Sequence, residues 1–266
     1  MYSTTYHRPA TVEEAVALFA KGSDAKYLAG GHTLLPVMKQ RLTAPSDVID
    51  IARIPALIGI EASADTLTIK AATTYYDILS SAEVKRTIPA IAHLTSVLGD
   101  PAVRYRGTIG GSVATNDPTA DYPAAVLALN ATVKTNKREI PADQFFQGLF
   151  TTALESDEII TAIAFPIPEK AGYAKMRNPA SRFALTAVFV AKLTSGEIRV
   201  TATGASQDGV MRVPVIEQAL AANWSAAALD AVTVSEDGLM ADIHGSSDYR
   251  ANLIKVMAQR AVVAAG

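Results

Sequence analysis

Two short segments rich in glycine are the parts of this sequence best suited to hold a ligand. The first, LAGGHTLL, begins at Leu28, and the second, GTIGGS, begins at Gly107. Paired glycines allow positive φ angles and let a ligand come close to the backbone. A helix that starts after such a bend presents free N–H groups and a dipole that favours an anion. The first segment has no lysine or arginine, so a phosphate there would be held by amides and by Thr33.

Carboxylates follow the second segment, at Asp117 and Asp121. An ionised aspartate only accepts hydrogen bonds, which suits the hydroxyls of a ribose. Two bends rich in amides suit a dinucleotide diphosphate that is held from both sides. Taken singly, a Gly-Gly pair is more often a plain turn, and neither segment fits the nicotinamide fingerprint G-x-G-x-x-G or the phosphate loop G-x-x-x-x-G-K-[ST]. The residues alone are consistent with a dinucleotide-binding site and do not identify the dinucleotide.

Other polar and aromatic residues have ordinary structural explanations. Asp117 precedes Pro118, where an aspartate commonly caps a turn. Trp224, the only tryptophan, is expected to pack in the interior. The histidines outside the first segment show no metal-ligand spacing; they are His7, His93 and His244. We therefore predict no metal ion and no catalytic side chain.

Composition excludes several classes of protein. The 266 residues carry 24 basic and 26 acidic side chains, a balance that argues against a general nucleic-acid binder. The absence of cysteine excludes disulfides and any iron–sulfur cluster held by this chain alone, and it agrees with a reducing cytoplasm. No secretory signal and no apolar run of about 20 residues are visible, so we expect a cytoplasmic protein without a membrane span.

Alternating helical and extended patterns place the glycine segments. A capping box from Thr11 to Glu14 starts a first helix, and a strand at residues 25–29 leads through the first segment into a helix at residues 33–41. A short strand at residues 48–51 and a hairpin at residues 57–61 and 67–71 follow. Residues 99–121 have weak periodicity and are predicted to form a long packed loop.

The rest of the chain mixes strands and helices. Prolines 166 and 168 mark the best internal boundary. The pattern predicts helices at residues 76–81, 90–98, 124–129, 213–222, 226–232 and 247–263, and strands at residues 132–135, 158–165, 183–193 and 198–203. This order is typical of an α+β protein in two or three lobes.

Several longer runs together resemble one protein family. They are AGGHTLLPVMK from Ala29, RYRGTIGGS from Arg104, DPTADYP from Asp117, EII from Glu158, YAKMRNPASR from Tyr173 and YR from Tyr249. In this order, over nearly the whole chain, they resemble the FAD-binding medium subunits of molybdenum hydroxylases. Xanthine dehydrogenase and carbon monoxide dehydrogenase belong to that family.

The resemblance implies a fold and a set of cofactor contacts. Residues 1–170 would form a two-lobed FAD-binding domain of the vanillyl-alcohol-oxidase (PCMH) type, with lobes at about residues 1–55 and 56–170. Residues 171–266 would form a C-terminal domain like that of carbon monoxide dehydrogenase flavoproteins, with a small antiparallel sheet and helices. The implied FAD-binding residues are Tyr27, Leu28, Ala29, Gly30, Gly31, His32, Thr33, Leu34, Leu98, Thr108, Ile109, Gly110, Gly111, Ser112, Asp121, Ile160 and Lys175.

Individual roles also follow from the resemblance. The two bends would contact the diphosphate, Asp121 the adenosine part, and Ile160 and Lys175 the cofactor from the domain junction. The loop at residues 178–183 would lie near the edge of the isoalloxazine ring. His32 lies in a diphosphate bend, which favours a structural or hydrogen-bonding role over covalent attachment of the flavin.

The implied function is electron transfer. In this family a molybdopterin-containing large subunit oxidises the substrate, a small subunit carries [2Fe-2S] clusters, and FAD passes electrons to an external acceptor such as quinone, oxygen or NAD. The lack of cysteine agrees with clusters held by a partner. Two alternatives stay open at this point, a self-sufficient FAD-dependent oxidase or dehydrogenase and a cofactor-free assembly protein with the same fold.

Overall fold

The chain begins with a small parallel sheet flanked by two helices. The computed structural model describes residues 1–266. The elements of this lobe are β1 (Thr5–His7), α1 (Val12–Phe19), β2 (Ala25–Leu28), α2 (Leu34–Lys39) and β3 (Asp47–Asp50), and the strand order is β1-β3-β2. Ala15 and Ile49 are fully buried between helix and sheet. The strands and helices predicted here are confirmed within one to three residues at each end.

Local side-chain bonds fix where the first helix starts. The Glu14 N–H donates to Thr11 Oγ1 at 3.1 Å, and the Ala10 N–H donates to Glu14 Oε2 at 2.7 Å. The predicted capping box is therefore confirmed, with the glutamate returning to the residue before the cap. Such a cap contributes about 1 kcal/mol.

The second lobe consists of one five-stranded sheet and several short helices. A 3₁₀ turn at Pro55–Leu57 leads into it. Its elements are β4 (Ile60–Ala62), β5 (Thr66–Lys70), α3 (Tyr75–Ser80), α4 (Ala82–Thr87), α5 (Pro89–Ser96), α6 (Pro101–Arg106), α7 (Ile109–Thr115), α8 (Tyr122–Ala128), β6 (Thr132–Thr135), β7 (Glu139–Pro141), α9 (Ala142–Phe145), β8 (Phe146–Gly148), β9 (Thr151–Thr152) and β10 (Ile160–Pro166). The sheet has the antiparallel order β4-β5-β10-β6-β7, and β8 pairs with β9.

The predicted long loop at residues 99–121 is wrong, because α6 and α7 lie within it. Each of these helices has a side-chain cap. The Val103 N–H donates to Asp100 Oδ1 at 2.8 Å, and the Gly111 N–H donates to Thr108 Oγ1 at 3.2 Å. Both helices have only six or seven residues, too few to show a clear apolar period. Helix α4 was not predicted either, because it too has only six residues.

The C-terminal part is a four-stranded antiparallel sheet covered by helices. Its elements are β11 (Lys170–Arg177), β12 (Ala184–Lys192), β13 (Ile198–Ser206), β14 (Gly209–Arg212), α10 (Pro214–Ala222) and α11 (Ser247–Ala265), in the strand order β11-β12-β13-β14. Strand β11 was not predicted. The predicted helix at residues 226–232 is wrong, because only a 3₁₀ turn at Ala226–Leu229 forms there. The other predicted strands and helices of this part are confirmed.

Buried polar groups join the C-terminal sheet to the second lobe. Thr203 Oγ1 lies 2.8 Å from the carbonyl oxygens of both Pro118 and Ala120 and donates its proton there, and the Gly204 N–H donates to the Pro118 oxygen at 2.7 Å. The Arg199 Nε donates to the Leu127 oxygen at 3.0 Å. These bonds hold the segment that leads into α8 against β13. The α+β fold class that the sequence predicted is confirmed. None of the helices is long and apolar enough to cross a membrane.

Candidate functional site: a cavity between two glycine bends

One large cavity lies where the two lobes and the C-terminal sheet meet. Its volume is about 410 Å³, and 34 residues line it. Every residue of the predicted FAD-binding set except Ile109 lines this cavity. Ile109 is fully buried in the core of the second lobe instead. The fold therefore brings together residues that are far apart in the sequence, from Tyr27 to Lys175.

The first bend, residues 29–34, presents a row of free donors. None of the six backbone N–H groups of these residues has an acceptor within the chain. Gly31 has a φ of +79°, a value that favours glycine and turns successive N–H groups toward one side. Successive N–H groups in such a turn form a concave site that attracts an anion. Helix α2 starts here with Thr33 as its cap residue, and the Thr33 side chain makes no capping bond.

The two bends touch each other. A Cβ placed on Gly30 would lie 2.8 Å from Gly107 Cα and would overlap the Arg106 carbonyl oxygen. A Cβ placed on Gly111 would lie 3.4 Å from the Ala29 side chain and 3.0 Å from Thr108 Oγ1. Gly30 is therefore required for the contact between the bends, whereas a side chain at Gly111 would meet only other side chains.

The second bend, residues 107–112, offers fewer donors than the first. The Gly110 N–H donates to the Ala71 oxygen at 2.9 Å, and the Gly111 and Ser112 N–H groups donate to Thr108 Oγ1 and the Thr108 carbonyl oxygen. Among the residues of this bend that line the cavity, only Thr108 has a backbone N–H without an acceptor in the chain. This bend therefore forms a closely packed wall beside the free amides of the first bend.

A buried ion pair also lines the cavity. Lys175 Nζ is 2.8 Å from Asp121 Oδ1 and 2.9 Å from Oδ2, and both side chains are at most 5% exposed. Tyr173, which precedes Lys175 on the same face of β11, donates its phenol proton to Asp121 as well. Burial and the Asp121 carboxylate raise the pKa of Tyr173 well above its ordinary value. The Asp121 carboxylate is thus oriented by two donors, Lys175 and Tyr173, and keeps unused acceptor positions.

Sequence reasoning missed several residues of the wall. Ala71, Tyr75 and Glu158 line the cavity, as do Ser181 and Phe183 from the loop between β11 and β12. Burial raises the pKa of Tyr75 to about 12, so its phenol is neutral. Of these residues only the loop was foreseen, through the resemblance. Glu158 begins the EII run on which the resemblance partly rests, but nothing in the sequence marked it as a lining residue, and Ala71 and Tyr75 lie in no motif.

Two sets of hydrogen bonds fix the part of the cavity wall around Glu158. Burial of Glu158 opposes its ionisation, but hydrogen bonds from Arg138, Thr135 and a backbone N–H outweigh it and lower the pKa of Glu158 to about 2. The Tyr27 hydroxyl donates to the Asp157 carbonyl oxygen at 3.1 Å. Through this bond the first lobe is fixed to the start of β10.

Three other residues that the sequence analysis singled out are Asp117, Trp224 and His32. Asp117 Oδ1 accepts from the Thr119 N–H at 2.8 Å and caps the turn at Pro118, although Asp117 also lines the cavity. Trp224 packs against the core of the C-terminal part. His32 is exposed at the cavity rim. No group of three His, Asp or Glu side chains is placed to hold a metal ion.

Comparison with known proteins identifies the family. Residues 2–168 match the family described as FAD binding domain in molybdopterin dehydrogenase. The chain is 36% identical to the carbon monoxide dehydrogenase medium chain of Hydrogenophaga pseudoflava and 35% identical to the nicotine 6-hydroxylase medium subunit of Paenarthrobacter nicotinovorans, covering 98% of this chain and 96% of the relative in both cases. Among solved structures, reconstituted CO dehydrogenase from Oligotropha carboxidovorans is similar with a TM-score of 0.89 and 32% identity, over 99% of this chain and 97% of that one.

These similarities extend over both the FAD-binding region and the C-terminal sheet, so they apply to the whole chain. The chain therefore belongs to the FAD-binding family of molybdopterin dehydrogenases, and it is an FAD-dependent oxidoreductase subunit.

Proposed function

We propose that this chain is the electron-transfer subunit of a molybdenum hydroxylase complex. It would take electrons from iron–sulfur clusters on a small partner subunit and pass them through FAD to an external acceptor, which is quinone, oxygen or NAD. The oxidation of the substrate would occur on a molybdopterin-containing large subunit. Relatives named as medium chains or subunits of carbon monoxide dehydrogenase and nicotine 6-hydroxylase support this assignment. The chain itself has no cysteine to hold a cluster.

The observation that carries the proposal is the row of six free N–H groups in the first bend. These six donors without a partner in the chain border a cavity of about 410 Å³, and a diphosphate supplies several charged oxygens that can accept from them at once. The absence of Lys and Arg from residues 27–34 is no obstacle, because backbone amides and the start of α2 provide the positive potential. The donor set thus fits the diphosphate of FAD.

Other lining residues would hold the ends of the cofactor. Asp121 keeps free acceptor positions for the hydroxyls of the adenosine part, and Lys175 and Tyr173 prevent it from turning away. Leu98 and Ile160 supply apolar surface, and Ser181, Arg182 and Phe183 form the loop on the side where we place the ring. Flavin accepts and donates one or two electrons, so it can join a one-electron cluster to a two-electron acceptor. The chain's own residues bind the cofactor, orient it and exclude water from it.

The division of the chain belongs to the same proposal. We propose that residues 1–170 form the FAD-binding domain and residues 171–266 the C-terminal domain, with lobes at about residues 1–55 and 56–170. The family match at residues 2–168 and the start of β11 at Lys170 support that boundary. The proposal also places the protein in the cytoplasm, which agrees with the lack of cysteine.

Reconstitution tests the proposal. The purified chain is titrated with FAD, and bound flavin is measured by its visible absorbance after gel filtration. The chain is then co-expressed with the molybdopterin and iron–sulfur subunits that the proposal requires, and reduction of its flavin by the substrate of the complex is followed. We expect one FAD per chain and flavin reduction only in the complex. Steady turnover by the isolated chain would contradict the subunit role, and a folded chain that refuses FAD would contradict the site.

A further inference from the structure

A second, smaller cavity lies behind the Asp121–Lys175 pair and opens between α5, β11 and α11. Its volume is about 230 Å³, and nine residues line it. Three of them are cations, namely Lys175, Arg177 and Arg260, and none of the nine is an aspartate or glutamate. A concave site lined by charges of one sign concentrates the field that they produce.

The charges of the two arginines are unbalanced. Lys175 is neutralised by Asp121. The guanidinium groups of Arg177 and Arg260 make no ion pair and no hydrogen bond within the chain, whereas buried Arg199 and Arg250 are each paired with a carboxylate. Arg177 follows Lys175 by two residues on β11, and both side chains line the cavity. Arg260 follows Met257 by three residues on α11, so these two share one face of the helix.

The remaining walls are apolar or aromatic. Val97, Ala174, Met257 and Ala264 line the cavity beside the rings of His93 and Tyr173, whose centroids are 6.5 Å apart. A volume of 230 Å³ corresponds to about eight water molecules, enough for a carboxylate with a few carbon atoms. Guanidinium groups bind carboxylates with two parallel hydrogen bonds.

From these features we propose that the small cavity is a binding site for a small organic carboxylate, with Arg177 and Arg260 as its anion-binding groups and Val97 and Met257 in contact with the carbon chain. The site shares only Lys175 with the cavity between the glycine bends. It depends only on α5, β11 and α11, so it does not require FAD.

Isothermal titration of the full-length chain with succinate, at constant ionic strength and both with and without FAD, tests the proposal. We expect saturable binding of one succinate per chain. Arg177→Gln and Arg260→Gln should each weaken it at least about tenfold, because each removes a charged hydrogen-bond donor. Lys85→Gln, which removes an exposed cation from α4, is the matched control and should bind as the wild type does.

Three results would overturn the proposal. The first is the absence of saturable heat with succinate, and the second is a Lys85→Gln variant whose succinate binding is weakened as much as in the arginine variants. The third is binding of inorganic phosphate as tight as that of succinate, which would show that charge alone attracts the ligand. Both arginines are exposed, so the variants should fold, and urea unfolding checks this. A chain that binds succinate but not FAD would contradict the proposed function and leave the carboxylate site intact.

Discussion

Removing the ammonium group of Lys175 should destabilise the protein strongly. Lys175→Met leaves the Asp121 carboxylate buried, at most 5% exposed, with no cation beside it and with the neutral Tyr173 phenol as its one remaining side-chain donor. Breaking a buried pair in this way costs about 3–5 kcal/mol, because the remaining charge keeps its desolvation penalty. For a chain of this size 1 kcal/mol corresponds to about 2 °C, so we expect the melting temperature to fall by about 6–10 °C.

The double variant Asp121→Asn/Lys175→Met separates this reasoning from a general packing defect. It removes both charges, and the asparagine oxygen can still accept from Tyr173. We expect it to be more stable than Lys175→Met alone, since no unpaired charge remains. Urea unfolding of the FAD-free protein, followed by circular dichroism and by the fluorescence of Trp224, gives the free energies. Losses that simply add, or a loss below about 1 kcal/mol for Lys175→Met, would refute the role assigned to the pair.

Three further predictions concern the cavity and its supports. Gly111→Val should weaken FAD binding at least about tenfold in equilibrium titration, because its side chain would stand beside Ala29 in the wall of the cavity. Glu158→Gln should lower the free energy of unfolding by at most about 3 kcal/mol at pH 7, measured by urea unfolding. The pKa of Glu158 is lowered to about 2 in the folded state, so this stabilisation is complete above pH 5 and disappears as the pH falls toward 2. Arg199→Met should cost about 2 kcal/mol in the same assay, since it breaks the bond from β13 to the Leu127 oxygen.

Each of these predictions has a control and a contrary result. Ala102→Val adds a similar volume on the exposed side of α6 and should leave FAD binding unchanged. Equal FAD affinity in Gly111→Val and the wild type would contradict the position given to the second bend. A difference between wild type and Glu158→Gln that persists unchanged at pH 2 would contradict the origin of the pKa shift. Lys21→Met, at an exposed position, is the control for Arg199→Met, and equal losses in both would contradict the bridging role.

The sequence predicted those features that depend on neighbouring residues. The Thr11 cap and the free amides of the first bend arise within a few residues, so local pattern and glycine chemistry reveal them. The second bend was also predicted to offer free amides, but its Gly110 N–H donates to the Ala71 carbonyl oxygen. In the sequence, helices α3 to α6 separate Ala71 from Gly110. A partner so distant leaves no local signal.

The helices at residues 101–106 and 109–115 could have been predicted more fully. Asp100 followed by Pro101, and Thr108 three residues before Gly111, are both capping patterns. The positions of Tyr75 and Glu158 in the cavity wall could not have been predicted, because strand pairing and helix packing bring these two residues there. The family resemblance supplied Asp121 and Lys175, and the structure adds that they form a buried pair with Tyr173.

Hydrogen exchange tests the central claim, that the free amides of residues 29–34 hold the diphosphate of FAD. Exchange of these amides is measured by mass spectrometry on the chain without and with saturating FAD. We expect the peptide that covers residues 29–34 to exchange rapidly without FAD and to show the largest protection in the protein when FAD is bound. Bound FAD with unchanged exchange in that peptide would contradict the account.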